Sequence, residues 1–213
     1  AMPCPVAKTR LLYFPAPKVA CTSIKRAVLT HNARMAGEID PVLRQVHQIS
    51  PTTSFHRLYP YRHLLKRWFC VVRDPVKRAL SAYSNRILHH NELKDLPDEV
   101  LAEAGLSRQP ELDEFIAKMP DYNRIHAGID HHTRPLTFFL GDDPGRYHRI
   151  FDMSELGTLP DYLAEAGASG IELGHDQTGG PKIALADVPP AALETLRAFY
   201  AEDYRIWGDH LKS

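Results

Sequence analysis

The sequence is poor in the features that would make its class obvious at once. Its 213 residues hold only three cysteines, Cys4, Cys21 and Cys70. An odd number at unrelated spacings excludes a disulfide framework, gives no zinc pattern and points to a reducing compartment. No apolar run reaches the roughly 18 residues of a membrane span, and the start lacks the charged-then-apolar order of a secretory signal. Net charge is also missing, since 26 Lys and Arg balance 26 Asp and Glu. That balance argues against a nucleic-acid partner. There is no internal repeat, no low-complexity tract and no Walker sequence with its spaced glycines and Gly-Lys-Ser/Thr ending. The length suits one full core, so a single domain over residues 2–213 is expected.

Charge is present but unevenly placed. Between Arg57 and Arg86 basic residues stand against Asp74 alone, while Asp95 to Asp121 is mainly acidic. A local anion site fits this better than a polyanion track.

Arg10 to Phe14 is a short apolar, β-favouring run closed by Pro15-Ala16-Pro17, which predicts a buried strand entering a loop. Ile24, Ala27, Val28, His31 and Met35 then recur at helical spacing, with Thr22 or Ser23 available as N-cap. The pattern repeats at Trp68 to Val72, a strand candidate followed by Arg73-Asp74-Pro75. Val76, Leu80, Tyr83 and Ile87 mark one helical face beyond it, with Asp74 suited to the N-cap and Pro75 to the first helical position. Two strand–loop–helix units imply a parallel sheet. Helices are expected over Asp98 to Ala104, Leu112 to Lys118 and Leu159 to Ala166, a strand over Arg149 to Met153, and a loop over the five-glycine stretch Gly167 to Pro181. Leu193, Leu196, Tyr200 and Trp207 predict one final helix after Pro189-Pro190.

The first unit places Lys18 and then small residues at a helix start, where unpaired N–H groups and partial positive charge favour phosphate or sulfate. Its plain structural alternative is a capped surface helix with a solvated lysine. In the second unit Arg73 stands where a strand ends and a helix begins, the edge at which ligands bind in open α/β sheets, and Ser81 follows two helical turns later. Its alternative is an arginine paired with Asp74.

Taken together, Lys-Val-Ala-Cys-Thr-Ser-Ile-Lys-Arg from Lys18 and, about fifty residues on, Val-Val-Arg-Asp-Pro-Val-Lys-Arg-Ala-Leu-Ser-Ala-Tyr from Val71 resemble two segments of a known family. These are the segments with which the Golgi carbohydrate sulfotransferases of the chondroitin, dermatan and HNK-1 types bind 3′-phosphoadenosine 5′-phosphosulfate (PAPS). Leu112-Asp-Glu-Phe-Ile, His132-Thr-Arg-Pro-Leu-Thr, the His175-Asp-Gln-Thr loop and Phe199-Tyr-Ala-Glu-Asp-Tyr-Arg-Ile-Trp-Gly look like later landmarks of that family. The resemblance implies a three-layer α/β sandwich with a central, mainly parallel sheet, a P-loop-like nucleotide-binding sulfotransferase fold. It assigns Lys18, Val19, Ala20, Cys21, Thr22, Ser23 and Ile24 to the 5′-phosphosulfate loop and Arg73 and Ser81 to the 3′-phosphate. Gln177, Thr178 and Lys182 lie where the family closes a late loop over the cofactor, although Gly179-Gly180 looks inserted there.

The implied reaction moves a sulfuryl group from PAPS to a hydroxyl of a carbohydrate or other acceptor and releases 3′-phosphoadenosine 5′-phosphate (PAP). Positioning and electrostatics carry such a transfer, so no metal is expected. Lys18 is the candidate at the leaving group. Among twelve histidines, His47 and His56 lie between the two segments, where related enzymes place the general base. His89-His90 and His131-His132 point apart within each pair and lack further ligands at zinc spacing, so they are read as structural or acceptor-facing. Cys21 is read as a small packing residue rather than a nucleophile. The Golgi relatives carry a membrane anchor and stem, whereas this chain starts almost at its first strand, which suggests a compact, bacterial-type, cytoplasmic relative. Two other readings compete: a nucleotide-dependent phosphotransferase, and a non-catalytic anion- or glycan-binding module on the same fold.

Overall fold

A computed structural model describes residues 3–38, 46–55, 65–174 and 179–212. Its strands are β1 (Cys4–Pro5), β2 (Leu11–Phe14), β3 (Arg67–Val72) and β4 (Arg149–Asp152). The α-helices are α1 (Cys21–Ala36), α2 (Val46–Ile49), α3 (Pro75–Ala82), α4 (Asp98–Ala104), α5 (Leu112–Ala117), α6 (Met119–Ile125), α7 (Ala127–Thr133), α8 (Leu136–Leu140), α9 (Leu159–Glu165), α10 (Pro190–Phe199) and α11 (Ala201–Trp207). The described residues gather into two compact units, one within 1–73, 136–177 and 205–213, the other within 74–135 and 178–204.

The first unit holds the sheet, in the order β1-β2-β3-β4. β1 runs antiparallel to β2, while β2 with β3 and β3 with β4 are parallel, as an α/β fold requires. Every residue of β2 and all of β3 except Arg67 are buried, the continuous apolar run of a strand covered on both faces. Parallel pairing of β2 with β3 needs a crossover, and α1 lies in it. Ile24 and Val28, one turn apart on α1, pack into the same core as Phe14, Phe69, Phe151 and Trp207. Each such aliphatic side chain contributes about 1.5–3 kcal/mol on full burial. Gly37 ends α1 in the left-handed conformation (φ 77°), its N–H reaching back to the carbonyls of Ala33 and Arg34.

The second unit is helical. Val76, Leu80, Tyr83 and Ile87 form the expected stripe and pack with Phe115, Tyr122, Leu196 and Tyr200. Within it, buried Arg78 donates through Nη2 to the Arg134 carbonyl (3.1 Å), and the Tyr200 hydroxyl donates to the Thr133 carbonyl (2.6 Å).

Three expectations are corrected. The N-cap of α1 is neither Thr22 nor Ser23 but Ala20, because a left-handed turn at Ala20 (φ 57°) starts the helix earlier. The helical stripe through Tyr83 and Ile87 continues as a π-helix over Tyr83–His89 rather than as α-helix. The single final helix is two, broken at Tyr200 (φ −101°, ψ 19°); Leu196 and Tyr200 serve the core of the second unit and Trp207 that of the first.

Candidate functional site

The loop from β2 to α1 is built by its buried ends. Val19 and Ile24 are fully buried, so their side chains anchor the loop in the core and leave only their backbone to a ligand. Between and around them Lys18 (φ 64°) and Ala20 (φ 57°) are left-handed, whereas Val19 is not. A non-glycine residue held left-handed costs roughly 1–2 kcal/mol. Such alternation turns successive N–H groups to one side, the nest geometry that receives anions. The helix start itself has no side-chain cap and no acidic residue in its first turn. Cys21, Thr22 and Ser23, its first residues, are all buried.

Arg73 follows β3 directly, and its Nη1 donates to the Lys18 carbonyl at 3.3 Å, which ties the second motif to the first across the adjacent carboxyl ends of β2 and β3. Asp74 is the N-cap of α3. Its Oδ1 accepts from Lys77 N (2.9 Å), and its Oδ2 from the Tyr204 hydroxyl (2.9 Å). Ser81 is half-buried near the end of α3.

The segment beyond α1 touches the loop through side chains. His47 Nε2 lies 3.0 Å from Thr22 Oγ1. One turn along α1, Lys25 is fully buried and its ammonium donates to Thr52 Oγ1 at 2.6 Å. No salt bridge joins Lys25 to a carboxylate among the described residues. Burial pushes its pKa below the ordinary lysine value, partly offset by Cys21 and Cys4. Sequence reasoning passed over this residue. The signal was its position beside Ile24, on a face otherwise apolar.

Lys182 is exposed and follows Pro181, whose carbonyl accepts from Ser84 Oγ at 2.5 Å. His56, Gln177 and Thr178 lie outside the described residues. His89 and His90 are exposed, and His132 Nδ1 lies 2.7 Å from the Gly128 carbonyl at the end of α7. The three cysteines are buried and free, and burial drives the Cys4 thiol up to about 11 and Cys70 well above its usual range. No described helix is long and apolar enough to cross a membrane.

The sequence matches the sulfotransferase family over residues 6–208, a span that includes both motifs and both units. The chain belongs to that family. It is the family of carbohydrate sulfotransferases such as the chondroitin and HNK-1 types, which makes the chain a sulfuryl transferase acting on a hydroxyl-bearing acceptor. No curated protein and no solved structure matches the chain.

Proposed function

We propose that residues 2–213 form one sulfotransferase domain that transfers the sulfuryl group of PAPS to a carbohydrate hydroxyl. The observation that carries this reading is the uncapped, acid-free start of α1, with left-handed Lys18 and Ala20 before it and Arg73 bonded to the Lys18 carbonyl. PAPS supplies the sulfuryl group and leaves as PAP.

The residues divide the work by their chemistry. The backbone N–H groups of Val19 to Ile24, with the hydroxyls of Thr22 and Ser23, hold the 5′-phosphosulfate. Lys18 neutralises negative charge growing on the bridging oxygen as the sulfur–oxygen bond breaks. Arg73 and Ser81 take the 3′-phosphate, with Gln177, Thr178 and Lys182 on the late loop. His47 accepts the proton of the attacking hydroxyl, and its bond to Thr22 orients the ring towards the loop. His56 is the second candidate for that base. Three free, buried thiols accord with a reducing compartment.

Thermal unfolding with PAP, AMP and ATP–magnesium in parallel tests the reading. PAP at a hundred times its dissociation constant adds about 2.7 kcal/mol. A shift with PAP and not with ATP–magnesium is expected. Stabilisation by ATP–magnesium with none by PAP would replace sulfuryl transfer from PAPS with phosphotransfer.

A further inference from the structure

α2 is a single turn, closed by the bond from Ser50 N to the Val46 carbonyl (2.9 Å). A helix this short does not hold itself in place. Burial decides where it sits: Val46 is 2% and Ser50 5% exposed, and Phe55, further along, packs against Phe14 and Trp68 with ring centres 6.2 and 6.3 Å apart. His47 is exposed, yet its Nε2 lies 3.0 Å from Thr22 Oγ1. Apolar burial is non-directional, whereas a hydrogen bond of that length depends on angle. Packing therefore seats the turn and leaves its aim unset.

A second bond between the two segments supplies the aim. Lys25 stands three residues after Thr22, one turn along the same face of α1, and its Nζ donates to Thr52 Oγ1 at 2.6 Å. Thr22 with His47 and Lys25 with Thr52 thus attach the segment after α1 at two points, and two points fix an orientation where one permits rotation. The ammonium is fully buried. Its burial opposes folding unless its bonds compensate. What it supplies that an apolar side chain does not is a charge-assisted bond of defined direction.

We propose that Lys25 and Thr52 are positioning residues of the transfer: their bond orients the segment that carries His47, so that the imidazole stands at Thr22 in the phosphosulfate loop. The inference rests on the PAPS reading above and on its assignment of His47 as the base.

Steady-state kinetics of the full chain test it, with PAP release measured over a panel of polysaccharide acceptors and PAP affinity measured by calorimetry. His47→Ala lowers kcat by about 10²-fold or more. Thr52→Val keeps the branched shape and removes the hydroxyl; it lowers kcat about tenfold, with KM for PAPS and PAP affinity within about twofold of the parent. Thr52→Ser, which keeps the hydroxyl, retains the parental kcat. In the His47→Ala background Thr52→Val costs nothing further, because the tether acts through that ring. Where the stranded ammonium lowers the unfolding temperature of Thr52→Val, the double variant Lys25→Met/Thr52→Val makes both ends of the contact apolar and still shows the loss of kcat. Parental kcat in Thr52→Val, or the same loss in both backgrounds, overturns the tether while the donor reading stands. His47→Ala with parental kcat overturns the base assignment and the tether with it. A parent chain that binds no PAP, or releases none from PAPS, overturns the donor reading as well.

Discussion

The three parallel strands each lead into a helical turn, and the chain finishes these three starts differently. After β3, Asp74 caps α3 and is itself held by the Tyr204 hydroxyl. After β4, Asp152 and Glu155 form a capping box, with Asp152 Oδ1 accepting from Ser154 N (2.9 Å) and Glu155 Oε2 accepting from Asp152 N (3.0 Å). After β2 there is no cap and no carboxylate, only two strained left-handed residues. A side-chain cap contributes about 0.5–2 kcal/mol. Of these three starts only the one after β2 forgoes it, and it adds backbone strain there. Carboxylates at the closed starts already answer the positive helix ends, so a bound anion would be repelled from them. At the open start the same field is left for a ligand.

The sharpest way to break that contrast is to close the open start. Ala20→Asp puts a carboxylate at a half-buried, left-handed N-cap, a conformation that aspartate accepts more readily than alanine. A like charge about 4 Å from the bound phosphosulfate costs roughly 4 kcal/mol at an effective dielectric of ~20. PAP affinity measured by calorimetry should fall about a thousandfold, while unfolding temperature stays level or rises. Ala20→Asn, the neutral control, should keep most of the affinity. Equal affinities for the two variants would show that charge at this end is irrelevant. Lys18→Ala leaves the start open and removes only the cation before it. Donor turnover, read as PAP release with a panel of polysaccharide acceptors, should drop by about 10²–10³-fold. PAP affinity should change far less; the reverse pattern would take Lys18 away from the leaving group.

How much of this contrast could be read beforehand depends on whether a residue type announces its conformation. Asp74-Pro75 did so, since aspartate caps and proline pre-sets the first turn, and the apolar runs of β2 and β3 announced buried strands. Ala20 announced nothing. Alanine rarely turns left-handed, so Thr22 and Ser23 looked like the cap although both belong to the first helical turn. The π-turn at Tyr83 is equally silent, because an α-helix and a π-helix bury the same stripe of Val76, Leu80, Tyr83 and Ile87. The stripe from Leu193 to Trp207 keeps helical spacing through the break at Tyr200, which spacing alone does not reveal. Lys25 reads as a surface lysine until its neighbours Ile24 and Val28 are seen to be buried. The site's outline was legible in its motifs; its strained backbone and its buried ammonium were not.

Lys25 extends the contrast one turn into α1, since a buried cation adds to the positive end of the open start. Its folded pKa lies below the ordinary 10.5, so the unfolded chain holds that proton more readily. The burial penalty is therefore fully present below the lowered pKa and is relieved as pH rises through it towards 10.5. Lys25→Met should be as stable as the parent or about 1 kcal/mol more stable at pH 7, in the range seen when buried charge gives way to apolar packing. That advantage should shrink in alkaline denaturant titrations, while PAP affinity falls severalfold at pH 7. A variant that binds PAP as well as the parent would confine Lys25 to tethering Thr52.

The smallest effect belongs to the closed start after β4. The Glu155 carboxyl is held below its usual range by hydrogen bonding to the Lys212 ammonium first and to Asp152 N–H next, with Arg149 nearby. Its folded pKa is depressed, so its contribution is present above the ordinary value near 4.5 and is lost as pH falls through the folded one. Glu155 is partly exposed and its ion pairs are screened, which limits the contribution to a few tenths of a kcal/mol. Glu155→Gln should therefore lower stability slightly at pH 7, match the parent in strong acid, and leave PAP affinity unchanged. A loss of PAP binding in Glu155→Gln would mean that the start after β4 also serves the ligand, and the division between open and closed ends would fail.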